Sequence, residues 1–118
     1  MGKQELIQRY LVLNEARRAN TWMTEEEFVA PKKPAVQEAW ESGQLKCRPI
    51  VGKLMYIITQ DGINQLSDLE ENPIIRVMNA YDDLNLSWVK MITEHGGLNP
   101  DVALLADALM KLRQILAD

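Results

Sequence analysis

Apolar residues recur at helical spacing near the start of the chain. Within the stretch KQELIQRYLVLNEARRA, residues 3–19, the apolar side chains of Leu6, Tyr10 and Leu13 fall three or four positions apart. This spacing places them on one side of a helix with about 3.6 residues per turn. The pattern therefore predicts an amphipathic helix over residues 3–19.

A shorter helix is indicated a few residues further on. Thr24 is followed three positions later by Glu27, the arrangement of a capping box in which each side chain bonds the other residue's backbone N–H. Pro31 cannot continue a helix, because its ring clashes with the preceding turn. We therefore expect a helix that begins at Thr24 and ends before Pro31.

A third helix is predicted over residues 34–43. Pro34 suits the first turn of a helix, where its missing N–H has no intrahelical partner, and Gly43 is a common residue at a helix end. Val36 and Trp40 lie four positions apart, so both side chains are expected to face the core.

The helical spacing then gives way to the alternation of β-strands. Residues 45–59 contain two short apolar runs around Gly52, and the second run, LMYIIT, is rich in β-branched and aromatic residues. Pro49 lacks the N–H that a central strand needs, so the first run is expected at a sheet edge. The pattern predicts an isolated β-hairpin in a mainly helical chain.

The last part of the chain reads as two longer helices. Each begins with an Asn-Pro pair, at residues 72–73 and 99–100, which supplies a capping side chain and a first-turn proline. Apolar residues follow at spacings of three and four, which predicts an antiparallel helical hairpin. The seam positions are Ile74, Val77, Tyr81, Leu84, Trp88 and Met91 on the first helix and Val102, Leu105, Leu109, Leu112 and Leu116 on the second.

These two helices also carry a second apolar row, which includes Val89, Leu104 and Ile115. Two helices that cover each other bury one row each, so the surplus must meet the N-terminal domain or another copy of the chain. We expect a domain of residues 1–68 and a C-terminal hairpin of residues 69–118 that forms a homodimer. The candidate dimer residues are Val102, Leu105, Leu109, Leu112, Leu116, Tyr81 and Trp88.

Charge is distributed unevenly over the chain, whose formal net charge is −4. Residues 31–60 carry a net charge of +3, whereas residues 61–118 carry −6, so the hairpin lies in the positive part. A single cysteine cannot form an internal disulfide, and no apolar run approaches the ~20 residues of a membrane span. With no secretory signal at the start, these features predict a cytoplasmic protein without a membrane partner.

Three helices followed by a hairpin is the element order of winged helix-turn-helix domains. The stretch YIITQDGINQL resembles that family, whose last wing strand commonly reads aromatic-x-[Ile or Leu]-Thr-x-x-Gly before a helix that ends in Leu. Five residues match this pattern, namely Tyr56, Ile58, Thr59, Gly62 and Leu66. In this stretch the Thr59 hydroxyl is expected to cap the next turn, and Gly62 to give the chain the flexibility to leave the sheet.

The resemblance implies a mainly α fold, with a winged helix-turn-helix domain followed by a C-terminal α-helical hairpin. The layout is similar to that of PadR-type and MarR-type regulators, which join such a domain to dimerisation helices. In the family, the helix before the wing enters the major groove and the wing touches the DNA backbone or the minor groove. The corresponding segments here are the helix over residues 34–43 and the hairpin over residues 45–59.

The resemblance therefore predicts a transcription regulator that binds double-stranded DNA as a homodimer, of the kind found in bacteria, phages or plasmids. Gln can read adenine, Glu can accept from cytosine, and Lys or Arg neutralise phosphates. The candidate DNA-binding residues are Lys32, Lys33, Gln37, Glu41, Ser42, Gln44, Lys46, Arg48, Lys53, Arg17 and Arg18.

The alternative is a protein-interaction module on the same scaffold, such as an acidic inhibitor of a host protein. The two glutamates on the helix expected to read DNA, Glu38 and Glu41, favour this alternative because they repel phosphates. Catalysis has no support, because no phosphate-binding glycine loop and no nucleophile motif is present. We expect neither a cofactor nor a metal site, and no enzymatic activity.

Overall fold

The computed structural model describes residues 2–95 and 100–117, with side chains at 2–94 and 103–117. The chain divides into two compact units, residues 1–72 and 73–118. In the described part the fold is mainly helical, with five α-helices and one small three-stranded antiparallel sheet. The expected mainly α class with a small β element is thus confirmed.

The first unit begins with a helix at the predicted position and alternates helices with short strands. Its elements are α1 Lys3–Ala19, β1 Met23–Thr24, α2 Lys33–Glu41, β2 Leu45–Ile50, β3 Lys53–Ile58 and α3 Gln60–Glu70. The sequence-based boundary after residue 68 falls inside α3.

One core joins these elements. Helix α1 packs against both α2 and α3, and fully buried side chains come from three helices and one strand. Removing a leucine side chain from water contributes roughly 1.5–3 kcal/mol, so these positions account for much of the stability of the unit. The largest fully buried side chains of the unit are Val12, Leu13, Val36, Leu45 and Leu66.

The sheet has the strand order β1-β3-β2, so β2 lies at an edge, as Pro49 predicts. Strands β2 and β3 pair antiparallel from Leu45 opposite Ile58 to Ile50 opposite Lys53, which confirms the hairpin. Strand β1 pairs with the other side of β3 over two residues only, and this strand was not predicted from the sequence.

The helix predicted to begin at Thr24 is wrong. Residues Glu25–Glu27 form a single 3₁₀ turn, and the Thr24 side chain makes no capping hydrogen bond. The chain is still extended at Thr24 because β1 pairs there with β3, and Pro31 follows soon afterwards. Too few residues remain for a hydrogen-bonded α-helical nucleus to be extended.

The prediction that Thr59 caps the following helix is confirmed. Its hydroxyl accepts a hydrogen bond from the Gly62 N–H at 3.1 Å and donates one to the Gly43 carbonyl at 2.7 Å. The expected role of Gly62 is wrong, because a Cβ at this position would overlap the Gln44 carbonyl oxygen. Close approach of two backbone segments, not flexibility, requires glycine here.

The second unit consists of α4, Pro73–His95, and α5, Pro100–Ala117, which pack against each other as predicted. Both helices begin at the proline of an Asn-Pro pair, although Asn99 itself lies outside the described residues. Over the described ranges, none of the helices has the length and apolar character required to cross a membrane.

Candidate nucleic-acid interface

Helix α2 presents a polar face to solvent. Lys33, Gln37 and Glu41 are exposed and follow one another at intervals of four residues, so they lie along one side of the helix. The Gln37 Nε2 atom donates to Glu41 Oε1 at 3.2 Å, which connects two of the predicted base-reading side chains to each other. Three of the candidate residues thus share a single helical face.

Trp40 does not lie in the core, which corrects the expectation that it faces inward with Val36. Its side chain is 44% exposed, whereas Ala35, Val36 and Ala39 are buried. The two alanines have small side chains, so the helix surface they share with Val36 can approach its neighbours closely. The Trp40 side chain therefore lies at the edge of the buried side of α2, partly in contact with solvent.

Two side chains of α1 hold the segment that leads into α2. The Gln8 Oε1 atom accepts a hydrogen bond from the Lys32 N–H at 2.7 Å. Glu15 Oε1 accepts from the N–H groups of Val29 and Ala30 at 3.2 and 3.4 Å. Gln8 and Glu15 are seven positions apart, on the same side of α1, and together they fix where α2 begins. Nothing in the local sequence distinguishes these two residues from ordinary polar residues of a helix surface.

Removing the Gln8 acceptor is expected to loosen the start of α2. Gln8→Ala leaves the Lys32 amide without its protein partner, and we expect the free energy of unfolding to fall by about 1 kcal/mol. Amide hydrogen exchange at Lys32 is expected to accelerate in the same variant. Gln4→Ala, one turn earlier on α1, is the matched control and should leave both quantities unchanged. Equal exchange rates at Lys32 in the two variants would contradict this account.

Two candidate residues at the end of α2 are engaged within the protein. The Ser42 hydroxyl donates to the Glu38 carbonyl at 2.9 Å, and Gln44 Oε1 accepts from Arg9 Nη1 at 2.6 Å. Both of these hydrogen bonds would have to break before the Ser42 and Gln44 side chains could bind a base. Arg9 was not among the candidate residues, because the pairing spans 35 positions in the sequence.

The cations of the hairpin are exposed. Lys46 and Arg48 are two positions apart on β2 and therefore lie on the same face of the sheet. The Arg48 guanidinium lies 4.5 Å from the centroid of the Trp22 ring, a cation–π contact that restrains the side chain without neutralising its charge. Lys53 stands next to the tip of the hairpin, where it shares an open cleft with Glu25 and Glu26. Those two acids lower the positive potential around Lys53.

The hairpin tip has an unusual backbone. Val51 and Gly52 have φ angles of 50° and 76°, the left-handed values that the two central residues of a type I′ turn adopt. Glycine takes this conformation readily, but a β-branched residue is strained in it. The Val51 side chain is 97% exposed, so the tip of the hairpin presents an apolar residue to solvent. The sequence identified Gly52 as the turn residue but gave no indication of the strain at Val51.

The opposite face of the hairpin belongs to the core. Tyr56 is buried and lies opposite Cys47 on β2 and Met23 on β1. Burial raises the pKa of the Tyr56 phenol, and the neighbouring Cys47 and Glu25 raise it further. The phenol is therefore neutral over the physiological range, as a core position requires.

Arg17 and Arg18 are exposed in the last turn of α1. Arg17 is nine residues beyond Gln8, which corresponds to about 14 Å along the helix axis. Since Gln8 holds the Lys32 backbone, the two arginines lie well away from Lys32 and Lys33 along α1. The candidate cations thus occupy separate regions of the unit: the start of α2, the outer face of the sheet, the hairpin tip and the end of α1.

The candidate dimer residues differ in how far the single chain already covers them. Leu109 is buried, which corrects the expectation that it is available to a second copy. The described side chains at the other positions are half-buried, and Val102 lies outside the described side chains. The half-buried candidates are Tyr81, Trp88, Leu105, Leu112 and Leu116.

Among the described residues, no group of three or more His, Cys, Asp or Glu side chains has an arrangement that could hold a metal ion. Comparison of the chain with protein-family models, with curated protein sequences and with solved structures gives no match.

Proposed function

We propose that residues 1–72 form a winged helix-turn-helix domain that binds duplex DNA, and that the chain acts as a homodimeric transcription regulator in the cytoplasm. The observation that carries this proposal is an antiparallel hairpin, β2–β3, that directly follows the exposed helix α2 and bears outward cations. The strand order β1-β3-β2, with a short β1 after the first helix, is also typical of winged-helix domains.

In this proposal α2 lies in the major groove. Its nine residues span about 14 Å, and its exposed face carries one cation near the start followed by polar side chains. Gln37 is suited to pair with adenine, and Glu41 accepts from the amino group of cytosine. Lys33, in the first turn, is suited to a phosphate at the edge of the groove.

The hairpin supplies the remaining phosphate contacts. Lys46 and Arg48 share one exposed face, and Lys53 lies beside the tip. Each lysine or arginine that neutralises a phosphate releases counterions, which is the main source of affinity for a polyanion. Four cations on one copy give modest binding, so two copies on adjacent half-sites are needed for useful affinity.

The C-terminal unit offers the surface for the second copy. Val89, Leu104 and Ile115 are 50%, 72% and 48% exposed, although all three are large and apolar. They belong to the apolar row in excess of what the two helices bury against each other. A second chain that covers this row would remove it from water and pair two DNA-binding units.

Charge reversal tests the proposed contacts. We expect Lys33→Glu combined with Lys53→Glu to weaken binding to duplex DNA at least about tenfold at low salt, measured by fluorescence anisotropy. The fold should survive, because a glutamate in the first turn of α2 interacts favourably with the helix dipole and Lys53 is exposed. The control is Lys90→Glu, which makes the same charge reversal at one exposed position of α4 and should have little effect. Equal losses in the two proteins would contradict the proposed contacts.

A protein-interaction module remains the second candidate, and one observation favours it. The exposed face of α2 carries the half-exposed ring of Trp40 beside Glu41, while the hairpin tip exposes Val51 and Leu54. Aromatic and apolar residues surrounded by acids are suited to a basic protein surface and unsuited to phosphates. Under this candidate, an acidic inhibitor of a host protein, the wild-type chain would not bind duplex DNA even at low salt.

A further inference from the structure

The Trp22 ring lies on the same face of the sheet as the cations of the hairpin. Thr24 on β1, Met55 on β3 and Arg48 on β2 stand directly opposite one another, so their side chains share one face. Trp22 comes two positions before Thr24, and alternate residues of an extended chain point the same way. The distance of 4.5 Å between Arg48 Cζ and the centroid of the Trp22 ring agrees with this placement.

The contact between these two side chains crosses the sheet. Strands β1 and β2 are separated by β3, and neighbouring strands are about 4.8 Å apart, so roughly 10 Å separates their backbones. Arg48 therefore reaches across β3 towards Trp22, and its guanidinium is held at a defined place on the sheet face. Met55 and Ile57, the β3 residues of this face, are half-buried.

This contact leaves the guanidinium able to bind an anion. The positive charge lies over the face of an aromatic ring, whereas an ion pair would place it against a carboxylate. The N–H groups of a guanidinium lie in its own plane, where they suit paired hydrogen bonds to two phosphate oxygens. By comparison, Arg9 already uses its Nη1 group in a hydrogen bond to Gln44 at 2.6 Å.

A restrained arginine also loses less freedom when it binds. Fixing a long, flexible side chain at an interface costs rotamer entropy, and a side chain that is held beforehand loses less of it. Lys46 is exposed on the same face and makes no cation–π contact with a ring of the described residues. Arg48 is thus the pre-organised member of this pair of cations.

We propose that Trp22 is a positioning residue for the DNA backbone contact of Arg48. Its ring holds the guanidinium on the outer face of the sheet, where it binds a phosphate without first having to be ordered. Trp22 acts only through Arg48 and touches no DNA itself. This inference rests on the DNA binding proposed above.

The test begins with two substitutions of Trp22 and measures binding to random-sequence duplex DNA by fluorescence anisotropy at low salt. Trp22→Leu keeps an apolar side chain but removes the aromatic face. We expect it to weaken binding about tenfold, because each of the two copies loses about threefold with its cation–π contact. Trp22→Phe keeps a ring face and is expected to lose less than about threefold in total.

A double-mutant cycle separates positioning from a general role of Trp22 in the fold. In an Arg48→Gln background, Trp22→Leu should have no further effect on affinity, because the guanidinium that Trp22 positions is absent. Lys46→Gln removes an equal charge from the same face and is the matched control. In that background the tenfold loss caused by Trp22→Leu should persist.

A measurement on the free protein completes the test. The ring current of Trp22 should shift the NMR signals of the Arg48 side-chain protons upfield, and Trp22→Leu should abolish this shift. The absence of the shift in wild type would overturn the inference.

The outcomes of the binding experiment distinguish this inference from the proposed function. Binding of wild type and Trp22→Leu with equal affinity would overturn the inference alone. A loss that persists in the Arg48→Gln background would also overturn it, because Trp22 would then support the fold and not Arg48. If the wild-type chain did not bind DNA, the proposed function would fail, and the inference would fail with it.

Discussion

Replacing Gly62 with alanine is expected to destabilise the first unit by about 2 kcal/mol. The new Cβ would overlap the Gln44 carbonyl oxygen and would lie 2.7 Å from the Ile58 Cγ1 atom. The Gln44 carbonyl cannot move away freely, because it accepts the Thr59 N–H at 3.1 Å. Such overpacking costs about 3 kcal/mol, of which the better helix propensity of alanine offsets about 1 kcal/mol.

Urea unfolding of the full chain in a Trp88→Phe background measures this effect, since Trp22 and Trp40, the remaining tryptophans, both belong to the first unit. The predicted loss corresponds to a roughly thirtyfold shift in the unfolding equilibrium. Ser67→Ala is the control, because it places alanine at an exposed position of the same helix and should change stability by less than ~0.5 kcal/mol. If Gly62→Ala proved as stable as Ser67→Ala, the close contact between the backbone segments would be refuted.

The sequence predicted the elements that depend on local periodicity. Helix α1, the hairpin around Gly52 and the two C-terminal helices follow from spacing, from prolines at helix starts and from strand alternation. The Thr59 cap was also predictable, because its acceptor role involves a residue only three positions away.

Features that depend on the path of the chain in three dimensions were not predictable. Strand β1 has two residues, too few for alternation to be recognised, and its existence depends on pairing with β3. The helical spacing predicted that Trp40 is buried with Val36. In the structure Ala35 and Ala39 are buried with Val36 instead, so the buried side of α2 is rotated away from Trp40. Gly62 was identified correctly as significant, whereas the reason for it, a carbonyl 18 positions earlier, has no local signal.

The candidate interface shows the same division. The exposure of the lysines and arginines follows from their chemistry and was predictable. Their distribution over separate regions of the unit was not predictable, because the position of Lys32 and Lys33 depends on how α1 holds the segment before α2 through Gln8 and Glu15. The acids beside Lys53 likewise come from a 3₁₀ turn that was predicted as part of an α-helix.

The second large effect expected of this protein is a steep dependence of DNA affinity on salt. Lys33, Lys46, Arg48 and Lys53 give four exposed cations per copy, and a homodimer doubles that number. For about eight phosphate contacts, the logarithm of the association constant falls with the logarithm of salt concentration with a slope near −7. The affinity would then decrease about 10⁴-fold between roughly 50 and 200 mM salt. A monomer, with only its own four cations in contact with phosphates, would give a slope near −3.6.

A salt titration of the wild-type chain on random-sequence duplex DNA therefore tests whether this protein binds DNA, and whether it does so as a homodimer. The account predicts measurable binding at low salt and a slope close to −7, falling by about one unit in magnitude for each phosphate contact removed from the complex. Undetectable binding at about 20 mM salt, or affinity that hardly changes with salt, would contradict a nucleic-acid function for this fold.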